Sequence, residues 1–221
     1  LDIGAKPILV DIDETLNMCP KSLIKRINKK TKAIVPVHML GVPADMGKIL
    51  KISKKHKIPV LEDNCEATGG KYDKKYLGLI GDVGALSFDG GKIITCGEGG
   101  MIITNEKKID KYSREYHDHG HENNPKLPRG RDNRSTYGFN YRMTEMQGVI
   151  GKVQLKKLDK IIYENKRRYK RLLVLLNKKI RLREIPKKSL PTYDAFIFFI
   201  KNKNLRKRII KLPNNEKVGT K

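Results

Sequence analysis

Apolar residues along the chain change period several times, and the changes lay out its elements. Pro7 to Val10 is a short apolar run with the length of a buried strand, and a helix is expected near Lys21 to Lys30. Ala33 to Val37 predicts the next strand. Ala44 to His56 predicts a helix carrying Met46, Ile49 and Leu50 on one face, and Ile58 to Leu61 another strand. The resulting β-α-β-α-β order predicts an α/β fold with a largely parallel sheet covered by helices.

Beyond Asp63 the pattern loosens. Gly69, Gly70, Gly78 and Gly81 mark loops, and Ala85 to Phe88 and Met101 to Thr104 predict two strands around a single lysine, Lys92. His117 to Asn133 is rich in glycine, proline, asparagine and charge and predicts a long loop, a kind often functional in compact domains. From Thr144 the helical period returns. Thr144 and Gln147 have capping-box spacing, and apolar positions from Met146 to Ile162 predict one helix running to about Arg171. A strand over Tyr193 to Ile200 and a basic helix over Asn202 to Lys211 complete the pattern. The chain opens at Leu1 and closes on Val218, Gly219, Thr220 and Lys221, which reads as a fragment incomplete at both ends.

Composition changes this picture only in part. The 221 residues carry 48 Lys and Arg against 24 Asp and Glu, a net charge of +24, which would attract nucleic acid or an anionic surface. Those cations are spread over several predicted helices among Ile, Leu and Asn, which favours a solvated basic surface over a nucleic-acid footprint. Three widely spaced cysteines form neither a disulfide framework nor a paired zinc motif. No apolar run nears the roughly 20 residues of a membrane span, so the cytoplasm is the expected compartment.

Two constellations carry chemistry. Ile8 to Thr15 has an apolar run followed by Asp11, Asp13 and Thr15, the form of a haloacid-dehalogenase phosphatase start, with Asp11 as nucleophile and Asp13 as general acid. No lysine is distinguished in the stretch where that chemistry needs one. A plain polar turn is the competing reading. In the second constellation, Asp63 follows a strand end, where ligands bind in open parallel sheets, and Lys92 sits between apolar runs ahead of Gly97, Glu98, Gly99 and Gly100. A Schiff-base lysine and a carboxylate that keeps a pyridinium nitrogen protonated are the two protein groups pyridoxal phosphate requires. Taken alone, such a pair is weak evidence, and a structural salt bridge is the favoured reading.

The segments VHMLGVPADM, PVLEDNCEATGG, YLGLIGDVGALSFDGGKIITCGEGGMIITN, HDHG and GFNYRMTEMQGVIGKVQLKKLD, in this order, resemble the DegT/StrS family of sugar aminotransferases from Pro7 to about Leu172. The resemblance implies a fold-type I enzyme using pyridoxal phosphate, an amino-acid donor such as glutamate and a keto-sugar acceptor. Residues 1–150 would form most of the large cofactor domain, and residues 151–221 a linking helix and the start of a small domain. Lys92 would attach the cofactor and move the proton, Asp63 would pair with the ring nitrogen and Ser87 with the phosphate. Asn140 would reach the phosphate of a neighbouring subunit, so the active sites of a homodimer would be shared.

The chain departs from the family pattern in two respects. Glu66 stands near the ring oxygen where the family usually has Gln or His, and a carboxylate there needs a proton or a partner. The family's phosphate loop and ring-stacking aromatic have no counterpart in the sequence, so weak cofactor binding is expected. The FDGG, ITCGEGG and DHGH segments most resemble members that aminate an eight-carbon sugar acid. His119 and His121, with His117, alternate in the loop near the expected site mouth, where substrate contact is favoured over metal ligation.

Overall fold

The computed structural model describes residues 3–128, 130–176 and 180–215. The closing Val218 to Lys221 lies outside them. In chain order the elements are α1 Pro20–Arg26, α2 Met46–His56, β1 Leu61–Asp63, β2 Lys71–Tyr72, β3 Lys75–Tyr76, β4 Val83–Ser87 and β5 Gly100–Thr104. They continue with α3 Lys107–His117, α4 Glu145–Leu155, α5 Leu158–Leu175, β6 Arg181–Leu182, β7 Ser189–Leu190, β8 Phe198–Phe199 and α6 Lys203–Asn215.

The core forms under α2. Asp45 caps the helix by accepting the Lys48 N–H, and Lys57 ends it in a left-handed conformation. Met46, Ile49 and Ile52 turn inward against Leu23, Ile34, Ala44, Ile58 and Val60, with Leu50 partly buried beside them. The predicted strand over Ala33 to Val37 is reduced to parallel bridges, Ile34 with Val60 and Val37 with Asp63. β1 then pairs in parallel with β4. β5 runs antiparallel to β4, the loop from Phe88 to Gly99 reversing the chain without a crossover helix.

Register assigns the two faces. Asp63 is opposite Ala85, and Ala85 is opposite Ile102; Glu62 is opposite Gly84, and Gly84 is opposite Ile103. Since side chains alternate along a strand, Asp63, Ala85, Ser87 and Ile102 share a front face, and Glu62, Gly84, Leu86 and Ile103 the back. On the back, a Cβ at Gly84 would overlap the Gly78 backbone, so only glycine lets the loop after β3 lie flat on the sheet.

Several expectations need correction. Pro7 to Val10 is not a strand: Leu9 is 86% exposed, and the following backbone closes on itself through Asp13 N–H to Asn17 O and Cys19 N–H to Asp11 O. The helix expected from Thr144 to Arg171 is two, broken at Lys156 and Lys157, after which Leu158 buries against Gly69. The loop expected from His117 begins only after α3, which ends on His117. The strand expected over Tyr193 to Ile200 shrinks to β8. The C-terminal stretch forms the small sheet β6-β8 and adds β7 to the β2-β3 hairpin, tying Ser189 and Leu190 onto β2.

Candidate active site

Lys92 lies in the loop that joins β4 to β5, and the loop's own hydrogen bonds define its shape. Phe88 donates its N–H to Gly99 O at 2.8 Å and accepts from Cys96 N–H at 3.0 Å, while Lys92 N–H reaches Asp89 O at 3.1 Å. Thr95 Oγ1 bonds Phe88 O at 3.1 Å, fixing the second half. Gln147, whose side chain completes the capping box on Thr144, also donates Nε2 to Glu98 O at 2.9 Å, so α4 pins the loop from outside.

Asp63 ends β1 on the front face, half-buried, and its Oδ1 accepts the Cys65 N–H at 3.1 Å. The Cys65 thiol reports who else is near. Burial pushes it up to about 11, a hydrogen bond to Asp63 and that carboxylate's charge add to the rise, the Lys92 ammonium opposes it, and Glu66 raises it further. The thiol is itself too weakly acidic to serve as a nucleophile. Ser87 ends β4 on the same face, with Oγ accepting the Asp89 N–H at 3.4 Å.

Glu66 is held by the three-residue turn Met39–Gly41: its Oε2 accepts the Leu40 N–H at 3.0 Å. Asn140 stands apart from this cluster. It is exposed, bridges to Asp118, and its Oδ1 accepts Arg142 Nε at 3.0 Å. His119 is exposed with a left-handed backbone (φ 55°), whereas His121 is buried and its Nδ1 lies 2.9 Å from Asp132 Oδ1. His117 bonds the carbonyl of Arg114 within α3. Among the described residues no three His, Cys, Asp or Glu side chains are placed to share a cation.

The phosphatase constellation folds into a local turn. Asp13 Oδ1 accepts both the N–H and Oγ1 of Thr15, and Asp11 Oδ1 accepts the Ile12 N–H. Asp82 accepts the Val60 N–H at 2.7 Å.

The backbone of the Lys92 loop is open: a Cβ at Gly97 would meet nothing within 4 Å, and one at Gly90 would meet only Gly97 O, at 3.9 Å. Lys92, Asp63 and Ser87 supply an amine, a carboxylate and a hydroxyl, the group types that pyridoxal phosphate requires. The model of the DegT/DnrJ/EryC1/StrS aminotransferase family matches residues 1–221. The chain belongs to that family.

Members of the DegT/DnrJ/EryC1/StrS family similar to this chain include the GDP-perosamine synthase of Escherichia coli O157:H7. It is 42% identical over 160 residues, which cover 72% of this chain and 43% of that protein. An aminotransferase from Psychrobacter cryohalolentis superposes with a TM-score of 0.87 at 33% identity, covering 97% of this chain and 60% of the other. The E. coli GDP-4-keto-6-deoxy-D-mannose-3-dehydratase, solved with bound hydrated pyridoxal phosphate, gives 0.80 at 30%, covering 94% and 57%. The chain thus spans less than half the length of the curated perosamine synthase. No helix among the described residues is long and apolar enough to cross a membrane.

Proposed function

We propose that this chain is part of a pyridoxal-phosphate aminotransferase that moves an amino group from an amino acid, glutamate above all, onto a keto-sugar. The observation that carries this reading is the sheet register that puts Asp63 and Ser87 on one face, at the strand ends beside the β4–β5 loop that holds Lys92. Bound there, the cofactor supplies an electron sink for the carbon that gains or loses the nitrogen. Lys92 attaches it and carries the proton to and from the reacting carbon. Asp63 holds the proton on the ring nitrogen, because an opposite charge favours the protonated ring. Ser87 donates to the phosphate, and Glu66 stands beside the ring oxygen.

Asn140 lies on an exposed edge with Tyr137, 92% exposed, and the exposed apolar side of α4, where Met146 is 77% exposed. A second copy packed on this edge would complete both sites, which favours a homodimer in which Asn140 reaches the partner's phosphate. His119 and His121 then lie at the mouth as substrate contacts. In this scheme residues 1–150 belong to the large domain and residues 151–221 to the linking helix and small domain. The acceptor is a sugar of surface-polysaccharide or amino-sugar synthesis, and the enzyme works in the cytoplasm.

The test is reductive trapping. The chain is mixed with excess pyridoxal phosphate, reduced with borohydride and mapped by mass spectrometry. Label concentrates on Lys92, and prior addition of L-glutamate removes it with release of 2-oxoglutarate. Label spread evenly over the surface lysines, or indifference of the Lys92 label to glutamate, overturns the proposal.

A further inference from the structure

Residues 117–119 run antiparallel to residues 139–141. His119 N–H donates to Phe139 O at 3.0 Å and Tyr141 N–H to His117 O at 2.9 Å. Asp118 and Asn140 are therefore directly opposed, the kind of pair whose side chains stand close together on one face. Arg142, two residues along from Asn140, stands on that face with them.

The three side chains are joined. Arg142 Nε donates to Asn140 Oδ1 at 3.0 Å, and its Nη1 donates to Asp118 Oδ1 at 2.9 Å. Asp118 is only 6% exposed, Arg142 is half-buried and Asn140 is exposed, so the contacts run from a buried carboxylate out to a surface amide. The planar fork of the guanidinium is what lets one side chain meet both acceptors.

This arrangement decides how the Asn140 amide lies. A guanidinium carries donors only, so Arg142 takes Oδ1 and turns Nδ2 away from itself. A phosphate dianion offers acceptors only, so Nδ2 is the half of the amide that can bind one. With the amide reversed, Oδ1 would meet phosphate oxygens and Nδ2 would meet the guanidinium, and neither contact is a hydrogen bond.

We infer that Arg142 is a positioning residue: held by Asp118, it sets the Asn140 amide with Nδ2 presented to the cofactor phosphate of the neighbouring subunit. The inference rests on the reading of Asn140 as a phosphate contact. Arg142 touches neither the phosphate nor a reacting atom; it acts through Asn140.

The test is borohydride trapping on Lys92, run in parallel with pyridoxal phosphate and with pyridoxal, which keeps the aldehyde and lacks the phosphate. Arg142→Met and Asn140→Ala each lower the label from pyridoxal phosphate by about fivefold or more and leave the label from pyridoxal within about twofold of the parent. On the Asn140→Ala background, Arg142→Met lowers the pyridoxal phosphate label by less than about twofold further, because the amide it orients is gone. A further loss of about fivefold on that background overturns the inference, since Arg142 then binds the phosphate itself. Equal loss of both labels in Arg142→Met also overturns it and makes the residue a plain structural element. If Arg142→Met does not fold, Arg142→Lys decides, because it keeps the charge without the fork: its pyridoxal phosphate label falls by about threefold or more, and a parent-level label overturns the inference. Loss of label in Asn140→Ala with none in Arg142→Met overturns the inference alone. Full label in Asn140→Ala overturns the phosphate reading of Asn140 as well.

Discussion

Glu62 and Asp63 are consecutive carboxylates on one strand, and they face opposite worlds. On the back of the sheet Glu62 is fully buried and its acceptor capacity is full: Oε1 takes the N–H of Ile80 and Gly81 at 2.7 and 2.6 Å, and Oε2 takes Gly78 N–H and His38 Nε2 at 2.9 and 3.0 Å. His38 Nδ1 accepts the Ala44 N–H, so the proton sits on Nε2 and points at Glu62. On the front, Asp63 takes one backbone N–H, from Cys65. A carboxylate with every lone pair used is holding a loop in place. One with a single such bond has capacity to spare, as the proposed ring partner needs.

The comparison is broken most severely at Glu62. Glu62→Gln keeps the shape but turns an NH2 toward backbone donors, and is expected to cost about 3 kcal/mol, read as a lower urea midpoint. Acid should do the same gradually. Burial alone would raise the Glu62 pKa, but the bonds from His38, Gly81 and Gly78 outweigh it, and the net value falls below the ordinary 4.5. A group depressed in the folded state stabilises fully above its unfolded value, so this contribution is complete above pH 4.5 and is lost as pH falls further through the folded value. Denaturant midpoints across that acid range should fall for the parent and stay flatter for Glu62→Gln.

Smaller effects sharpen the front face. Gln147→Ala removes both the capping bond on α4 and the bond to Glu98 O, and is expected to cost about 1 kcal/mol, with faster amide exchange in the Lys92 loop. At Cys65, burial and then Asp63 keep the thiol protonated at neutral pH. Asp63→Asn should speed Cys65 alkylation by a few-fold at about pH 8, with Cys19 as internal control. An unchanged rate would place Asp63 too far away to act on the thiol.

Much of the front face was legible because its chemistry is local. Asp63, Ser87 and Lys92 sit in short segments at strand ends and beside glycines, where the family resemblance is carried, and the core face of α2 was plain in the spacing of Met46 and Ile49. His38 is packed and hydrogen-bonded, as a histidine beside a core segment usually is. Its partner Glu62 went unmarked because a buried carboxylate looks like any other acidic residue until the loop carrying Gly78 to Gly81 folds over it. Arg183 gave no signal at all, since its partners Thr15 and Asn17 are more than 160 positions away. Pro7 to Val10 misled for the opposite reason: Ile, Leu and Val in a row have strand propensity, but pairing decides whether a strand forms. The break at Lys156 and Lys157 carries neither Gly nor Pro, and α3, with few apolar positions, leaves no period to read.

The most direct test compares the neighbouring carboxylates by borohydride trapping of pyridoxal phosphate on Lys92, measured in Asp63→Asn and Glu62→Gln under conditions where both are folded. Asp63→Asn should lower the Lys92 label by about tenfold or more, and Glu62→Gln should leave it near the parent level. Equal loss in both variants, or retention of the label in Asp63→Asn, would contradict the division of the strand into a structural and a ligand-facing carboxylate.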